Sequence, residues 1–99
     1  MLGYEYHPEA EAEYYDAIRY FSRISAELGM SFVTEVEKAV ERARLFPESY
    51  GRIGPHLRRV LTRRFSYSLV YETMEDRILI LAVAHTSRSP GYWRRRLKR

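Results

Sequence analysis

Arg77-Ile78-Leu79-Ile80-Leu81-Ala82-Val83-Ala84-His85 carries an unbroken apolar run from Ile78 to Ala84, closed by an arginine and a histidine. The run is far too short to span a bilayer. Its β-branched residues, and the polar pair Glu75-Asp76 just before it, read as a turn followed by a strand that is apolar on both faces. Such a strand belongs inside a sheet, with helices packed on one face. The other face is then partly covered or forms a floor for binding.

Working outward, Ser66 to Met74 is rich in Tyr, Leu and Val and reads as the preceding strand, and Leu57 to Thr62 as a basic strand before that. Pro47 to His56 holds two Pro and two Gly and reads as a loop. Upstream the period becomes helical. Ala10, Tyr14, Ala17, Ile18, Phe21, Ile24 and Leu28 form one stripe, with Pro8 at its start and Gly29 as the expected stop. Phe32, Val36, Ala39, Val40 and Ala43 form a second stripe that Pro47 ends. Helices joined this closely pack as an antiparallel hairpin. Leu2 to His7 reads as a short first strand. The expected order is β–α–α–β–β–β: an α+β domain with an N-terminal strand and a helical hairpin on a mainly antiparallel sheet. One domain is expected over 1–99, with the hairpin at about 8–46, the sheet meander at about 57–86 and a basic tail at 89–99. Tyr14, Ile18, Phe21, Phe32, Val36 and Val40 should pack on either Leu79, Leu81 and Val83 or Ile78, Ile80 and Ala82. The pattern leaves both faces open.

Charge is one-sided. Residues 1–50 hold ten acids and five bases, net −5; residues 51–99 hold twelve bases and three acids, net +9. A basic half points to an acidic or polyanionic partner, or serves as a solubilising surface. There is no cysteine, hence no disulfide framework and no thiol chemistry. Met1 to Glu13 has four glutamates and no Lys or Arg, unlike a signal or transit peptide. The expectation is a cytoplasmic protein that uses no membrane.

Three clusters are candidates for chemistry. Arg58, Arg59, Arg63 and Arg64 flank the basic strand. Neighbouring strand residues point to opposite faces, so only one of Arg58 and Arg59 joins a given site. Their forks suit phosphate or carboxylate, or else they protect an edge strand from aggregation. His85 and Arg88 follow the apolar strand. His85 is expected to share a face with Leu79, Leu81 and Val83, either as a general acid or base or as a histidine satisfied by a backbone partner. Arg88 holds a phosphate or acidic side chain, or bridges to the helical half. Tyr92 and Trp93 precede Arg94, Arg95 and Arg96: aromatics to stack on bases and arginines for phosphates, or aromatics buried on the sheet beside a solvated tail. Glu9 and Glu13 are expected on an exposed helix face with no catalytic role. His7, His56 and His85 are scattered, and there is no phosphate loop or nucleophile elbow, so neither a metal nor a cofactor is expected.

The opening His7-Pro8-Glu9-Ala10, the stretch Arg63-Arg64-Phe65-Ser66-Tyr67-Ser68-Leu69-Val70-Tyr71, and above all Ile80-Leu81-Ala82-Val83-Ala84-His85-Thr86-Ser87-Arg88-Ser89-Pro90-Gly91-Tyr92-Trp93 resemble the RelE/ParE toxin superfamily, in its plasmid-stabilisation, ParE-like branch. The resemblance runs from about residue 2 to residue 95. It implies the toxin of a bacterial or archaeal type II toxin–antitoxin module. A cognate antitoxin would hold it inactive, and the toxin would reach operator DNA only through that antitoxin. ParE-like members poison DNA gyrase, whereas RelE-like members cut mRNA on the ribosome. The cutting group generally uses a basic strand, an arginine in the next strand, and a late arginine with an aromatic residue. Here Arg58 and Arg59 supply the basic strand and Arg88 the late arginine, but Ser68 stands where the next-strand arginine would fall.

The expectation is therefore a gyrase inhibitor that acts by binding. Its contacts would be Arg58, Arg59, Arg63, His85 and Arg88, with Tyr92 to Arg96 as a docking tail. The alternatives are two. In a ribosome-dependent mRNA endonuclease, His85 would take the 2′-hydroxyl proton while Arg58 or Arg59 and Arg88 bind the phosphate. In a degenerate, non-toxic relative, the chain would only join an antitoxin–DNA regulatory complex.

Overall fold

The computed structural model describes residues 1–97. Strand β1 (Gly3–Tyr6) leads through His7 into helix α1 (Pro8–Ile24), followed by α2 (Ala26–Leu45). Strands β2 (Gly51–Gly54), β3 (Leu57–Leu61), β4 (Tyr67–Thr73) and β5 (Arg77–His85) complete the sheet, and a 3₁₀ turn, η1 (Arg94–Arg96), closes the described chain. Sheet order is β1-β5-β4-β3-β2. The meander is antiparallel, and β1 lies parallel to β5. This is the α+β architecture expected, with one strand more.

The extra strand is β2, inside the stretch read as a loop. Only backbone pairing with β3 makes it, across an irregularity between Arg52 and Gly54, so no side-chain alternation advertises it. It also moves β3 off the sheet edge, which removes edge protection as the reason for Arg58 and Arg59.

The hairpin turns at Ser25, not at Gly29. Ser25 is extended (φ −163°) and serves both helices: its N–H donates to Phe21 O at 3.1 Å, and its Oγ accepts from Leu28 N at 3.0 Å. Leu28 thus belongs to α2, and Ile24 is exposed. Gly29 lies inside α2 because the helices nearly touch there. A Cβ on it would stand 2.1 Å from Ser22 Oγ and 3.1 Å from Ser22 Cα. The hydroxyl can rotate away; the backbone cannot. Gly29→Ala is therefore expected to destabilise by about 1–3 kcal/mol through forced separation of the helices, against the gain normally seen for Ala in a helix. A urea melt with a raised midpoint would contradict this.

A bulge settles the two faces of β5. Val70 pairs with Ala82 but Tyr71 pairs with Ile80, so Leu81 is an extra residue that shifts the alternation. Ile78, Ile80 and Val83 consequently all face the helices, where they join Phe32, Val36, Leu69 and Tyr71. Leu81 and Ala82 join Leu57, Val70 and Trp93 on the other face. Of the two alternatives, the set Ile78, Ile80 and Ala82 holds for its two isoleucines, and the set Leu79, Leu81 and Val83 for Val83 alone. His85 follows Val83 and is separated from Leu79 and Leu81, against the expectation that the four share a face.

Candidate functional site: a basic groove beside the C-terminal segment

After β5 the chain reverses through Pro90-Gly91, with Gly91 in the left-handed region (φ +82°) that glycine adopts without strain. It then runs back across the sheet face opposite the helices. Trp93 is buried there against Leu57, Val70, Leu81 and Ala82. A groove of about 220 Å³ remains between this segment and the sheet, with Ser68, Val70 and Ala84 on its floor and Arg59, His85, Arg88 and Arg94 around it.

The segment is held by a buried ion-pair cluster. β1 ends at Tyr6, its last contact being His7 N to Ile80 O at 2.8 Å. Beyond Ile80, β5 has no neighbouring strand on that side among the described residues, and its backbone groups need other partners. Two side chains supply them. Glu13 Oε1 accepts from Val83 N at 3.0 Å, and Arg96 Nη1 donates to Leu81 O at 2.8 Å. Glu13 and Arg96 also pair with each other through two 3.0 Å bonds, a fork-on-fork arrangement. Tyr92 Oη donates to Glu13 Oε2 at 2.6 Å. Arg96 is 4% exposed and Glu13 16%. Among the described residues the Arg96 Nε makes no hydrogen bond, and it faces Glu9 Oε1 at 3.7 Å, while Arg95 pairs with Glu9 at 2.5 Å. Burial pushes the Glu13 carboxyl up, but the bonds from Arg96, Tyr92 and Val83 outweigh it and hold the carboxyl below its ordinary value.

The expected site residues therefore separate. Arg59 lines the groove, whereas Arg58 turns to the helix face and donates to Tyr50 O at 3.0 Å. Arg63 is exposed in the β3–β4 turn and is not part of the groove lining. Arg88 stacks on the Tyr92 ring at 3.8 Å and reaches Glu13 at 3.9 Å. Arg94 lies 5.2 Å from the Trp93 ring and stays exposed. Tyr92, Trp93 and Arg96 anchor the segment from within, the burial alternative for the aromatics, while Arg94 and Arg95 stay exposed. Lys98 and Arg99 lie outside the described residues. Glu9 and Glu13, expected on an idle face, are the anchors on the helical side. One signal marked Glu13 in the sequence: it stands between Ala10 and Ala17 on the apolar stripe, where a carboxylate must find a partner.

His85 sits at the strand end. Its Nδ1 accepts from Ser87 N at 3.1 Å and lies 2.8 Å from Ser87 Oγ. In the neutral ring the proton is then on Nε2.

With this geometry in view, a family model described as ParE toxin of type II toxin-antitoxin system, parDE, matches residues 4–90. The chain belongs to the ParE toxin family. It is thus the toxin of a type II toxin–antitoxin system, within the superfamily its terminal motif resembles. Among solved structures, a chain of a chromosomal ParDE TA system from P. aeruginosa is similar, with a TM-score of 0.68 and 22% identity over 86% of this chain and 96% of that one. At that identity the likeness establishes the ParE fold alone. No curated protein matches the sequence. No helix among the described residues is long and apolar enough to cross a membrane.

Proposed function

We propose that this ParE-family toxin arrests growth by binding DNA gyrase through the basic groove, and that a cognate antitoxin neutralises it by covering the same groove. The observation that carries a binding mode is the groove floor. Ser68 occupies the position where the resemblance to mRNA-cutting members calls for an arginine, and its Oγ lies 3.5 Å from Ala84 O among Val70, Ala82 and Ala84. The nearest histidine, His85, has its Nδ1 accepting from Ser87 N. What the groove does offer is exposed cations: Arg59, Arg88 and Arg94. Such a rim selects acidic partners and speeds their encounter.

The test is a supercoiling assay with purified, folded toxin, alongside primer extension on an abundant message after induction. Wild-type toxin is expected to inhibit gyrase and leave messages intact. Arg59→Glu with Arg94→Glu, both exposed, should raise the inhibitory concentration at least about tenfold without moving the melting midpoint. Growth arrest with unaffected gyrase sinks the proposal. Codon-phased message ends would replace it with the endonuclease, and normal growth on strong induction with the regulatory relative.

A further inference from the structure

A larger cavity, about 710 Å³, lies between β1, α1 and α2 and has no part in the basic groove. Its wall is a row of four tyrosines. Tyr4 meets Tyr6 edge-on at 6.1 Å, Tyr6 stacks on Tyr14 at 5.7 Å, and Tyr14 stacks on Tyr15 at 6.0 Å. Tyr4 and Tyr15 are half exposed. Three carboxylates, Glu11, Glu37 and Glu41, join this lining with two cations, Lys38 and Arg44, and none of the three carboxylates makes an ion pair among the described residues. Burial and then Glu37 push the Tyr14 phenol up to about 12, so that ring stays neutral.

One end of the row already holds a cation. The Arg44 guanidinium lies 4.8 Å from the Tyr4 ring centre, and its Nε donates to Leu2 O at 2.7 Å. A tyrosine face backed by carboxylates suits this chemistry.

The edge of β1 adds backbone. Gly3 N donates to Asp76 O, just before β5, and His7 N donates to Ile80 O within it. By the alternation of a strand, Tyr4 and Tyr6 direct their N–H and C=O groups outward. Among the described residues β1 is an edge strand that pairs with β5 alone. Alternate residues of an extended chain stand about 6.6 Å apart, close to the 6.1 Å between the Tyr4 and Tyr6 rings along β1.

We infer that this groove takes an extended basic segment of a protein partner, laid along the free edge of β1 with arginine or lysine side chains at alternate positions turned toward the carboxylates and the exposed rims of the tyrosines. Strand addition supplies affinity, and the tyrosine–glutamate row supplies the choice of side chain. The surface is separate from the basic groove, so the two readings stand or fall apart. The chain as a whole is net +4, so a basic peptide gains nothing from overall charge and binds only where the surface is locally complementary.

The experiment titrates the isotope-labelled full chain with a synthetic peptide alternating arginine and threonine, and separately with one alternating glutamate and threonine. The arginine peptide is expected to shift the amides of Tyr4, Tyr6, Glu37 and Glu41, and to slow hydrogen exchange at Tyr4 and Tyr6. Glu37→Gln with Glu41→Gln, both exposed, should weaken it about tenfold with an unchanged melting midpoint. The glutamate peptide should leave these amides unmoved. The inference is overturned if the arginine peptide does not bind, if it shifts other surfaces only, if the double variant binds it equally, or if the glutamate peptide enters the same groove.

Discussion

Glu13→Ala is expected to destabilise the protein by about 3–5 kcal/mol, the range seen when one partner of a buried ion pair is removed. That is a large share of the ~5–15 kcal/mol that holds a domain of this size. The volume lost is small; the damage is electrostatic. Arg96, 4% exposed, would keep its charge with Leu81 O as its remaining close acceptor. Val83 N and Tyr92 Oη would lose their acceptor as well. Glu13→Gln keeps the shape and one carbonyl acceptor, so its loss should be intermediate. A urea melt of Glu13→Ala that differs from wild type by less than about 1 kcal/mol would equate the pair with an exposed surface bridge and refute its structural role.

The same carboxylate sets an acid dependence. Its folded pKa lies below the ordinary value of 4.5, so the ionised form is the one the fold prefers. The stabilisation is then complete above the unfolded value and is lost as pH falls through the folded value. The difference in stability between wild type and Glu13→Gln should be level near neutrality and shrink below pH 4.5. Taking the difference cancels the other carboxylates. A gap that widens on acidification would contradict the assignment.

Trp93→Ala is expected to cost about 3–5 kcal/mol as well, by a different route. Trp93 is the apolar anchor of the C-terminal segment, and its loss uncovers Leu57, Val70, Leu81 and Ala82. It is the sole tryptophan, so its emission reports docking directly: blue-shifted in the folded protein and red-shifted when the segment lifts. Trp93→Phe should retain most of the stability. Because Trp93 and Glu13 hold the same segment, the double variant should lose less than the two single losses added, with a coupling of about 0.5–3 kcal/mol. Strict additivity would show that the segment does not dock as a unit. Loss of growth inhibition in either variant reflects the fold, and for that reason the groove is tested with Arg59 and Arg94.

Much of the fold was legible because local rules govern it. The stripes Ala10–Phe21 and Phe32–Ala43, Pro8 at a helix start and the Tyr-, Leu- and Val-rich stretch Ser66–Met74 each concern residues a few positions apart. Those neighbours meet whatever the rest of the chain does. The terminal motif likewise pointed to the toxin superfamily without any coordinates, and the charge division placed a basic surface on the sheet half.

Other features were silent. β2 exists through backbone pairing alone, and Ser25 outcompetes Gly29 as the helix break because Gly29 is needed where the helices cross at Ser22. The bulge at Leu81, which turns Val83 to the helices, has no local mark in a run where every side chain is apolar. The pairing of Glu13 with Arg96 spans 83 residues and selects one cation among 17 Lys and Arg. Residue type says that a buried carboxylate needs a cation. Which one arrives depends on where β1 stops, where β5 bulges and where Gly91 reverses the chain, and those are properties of the packed sheet.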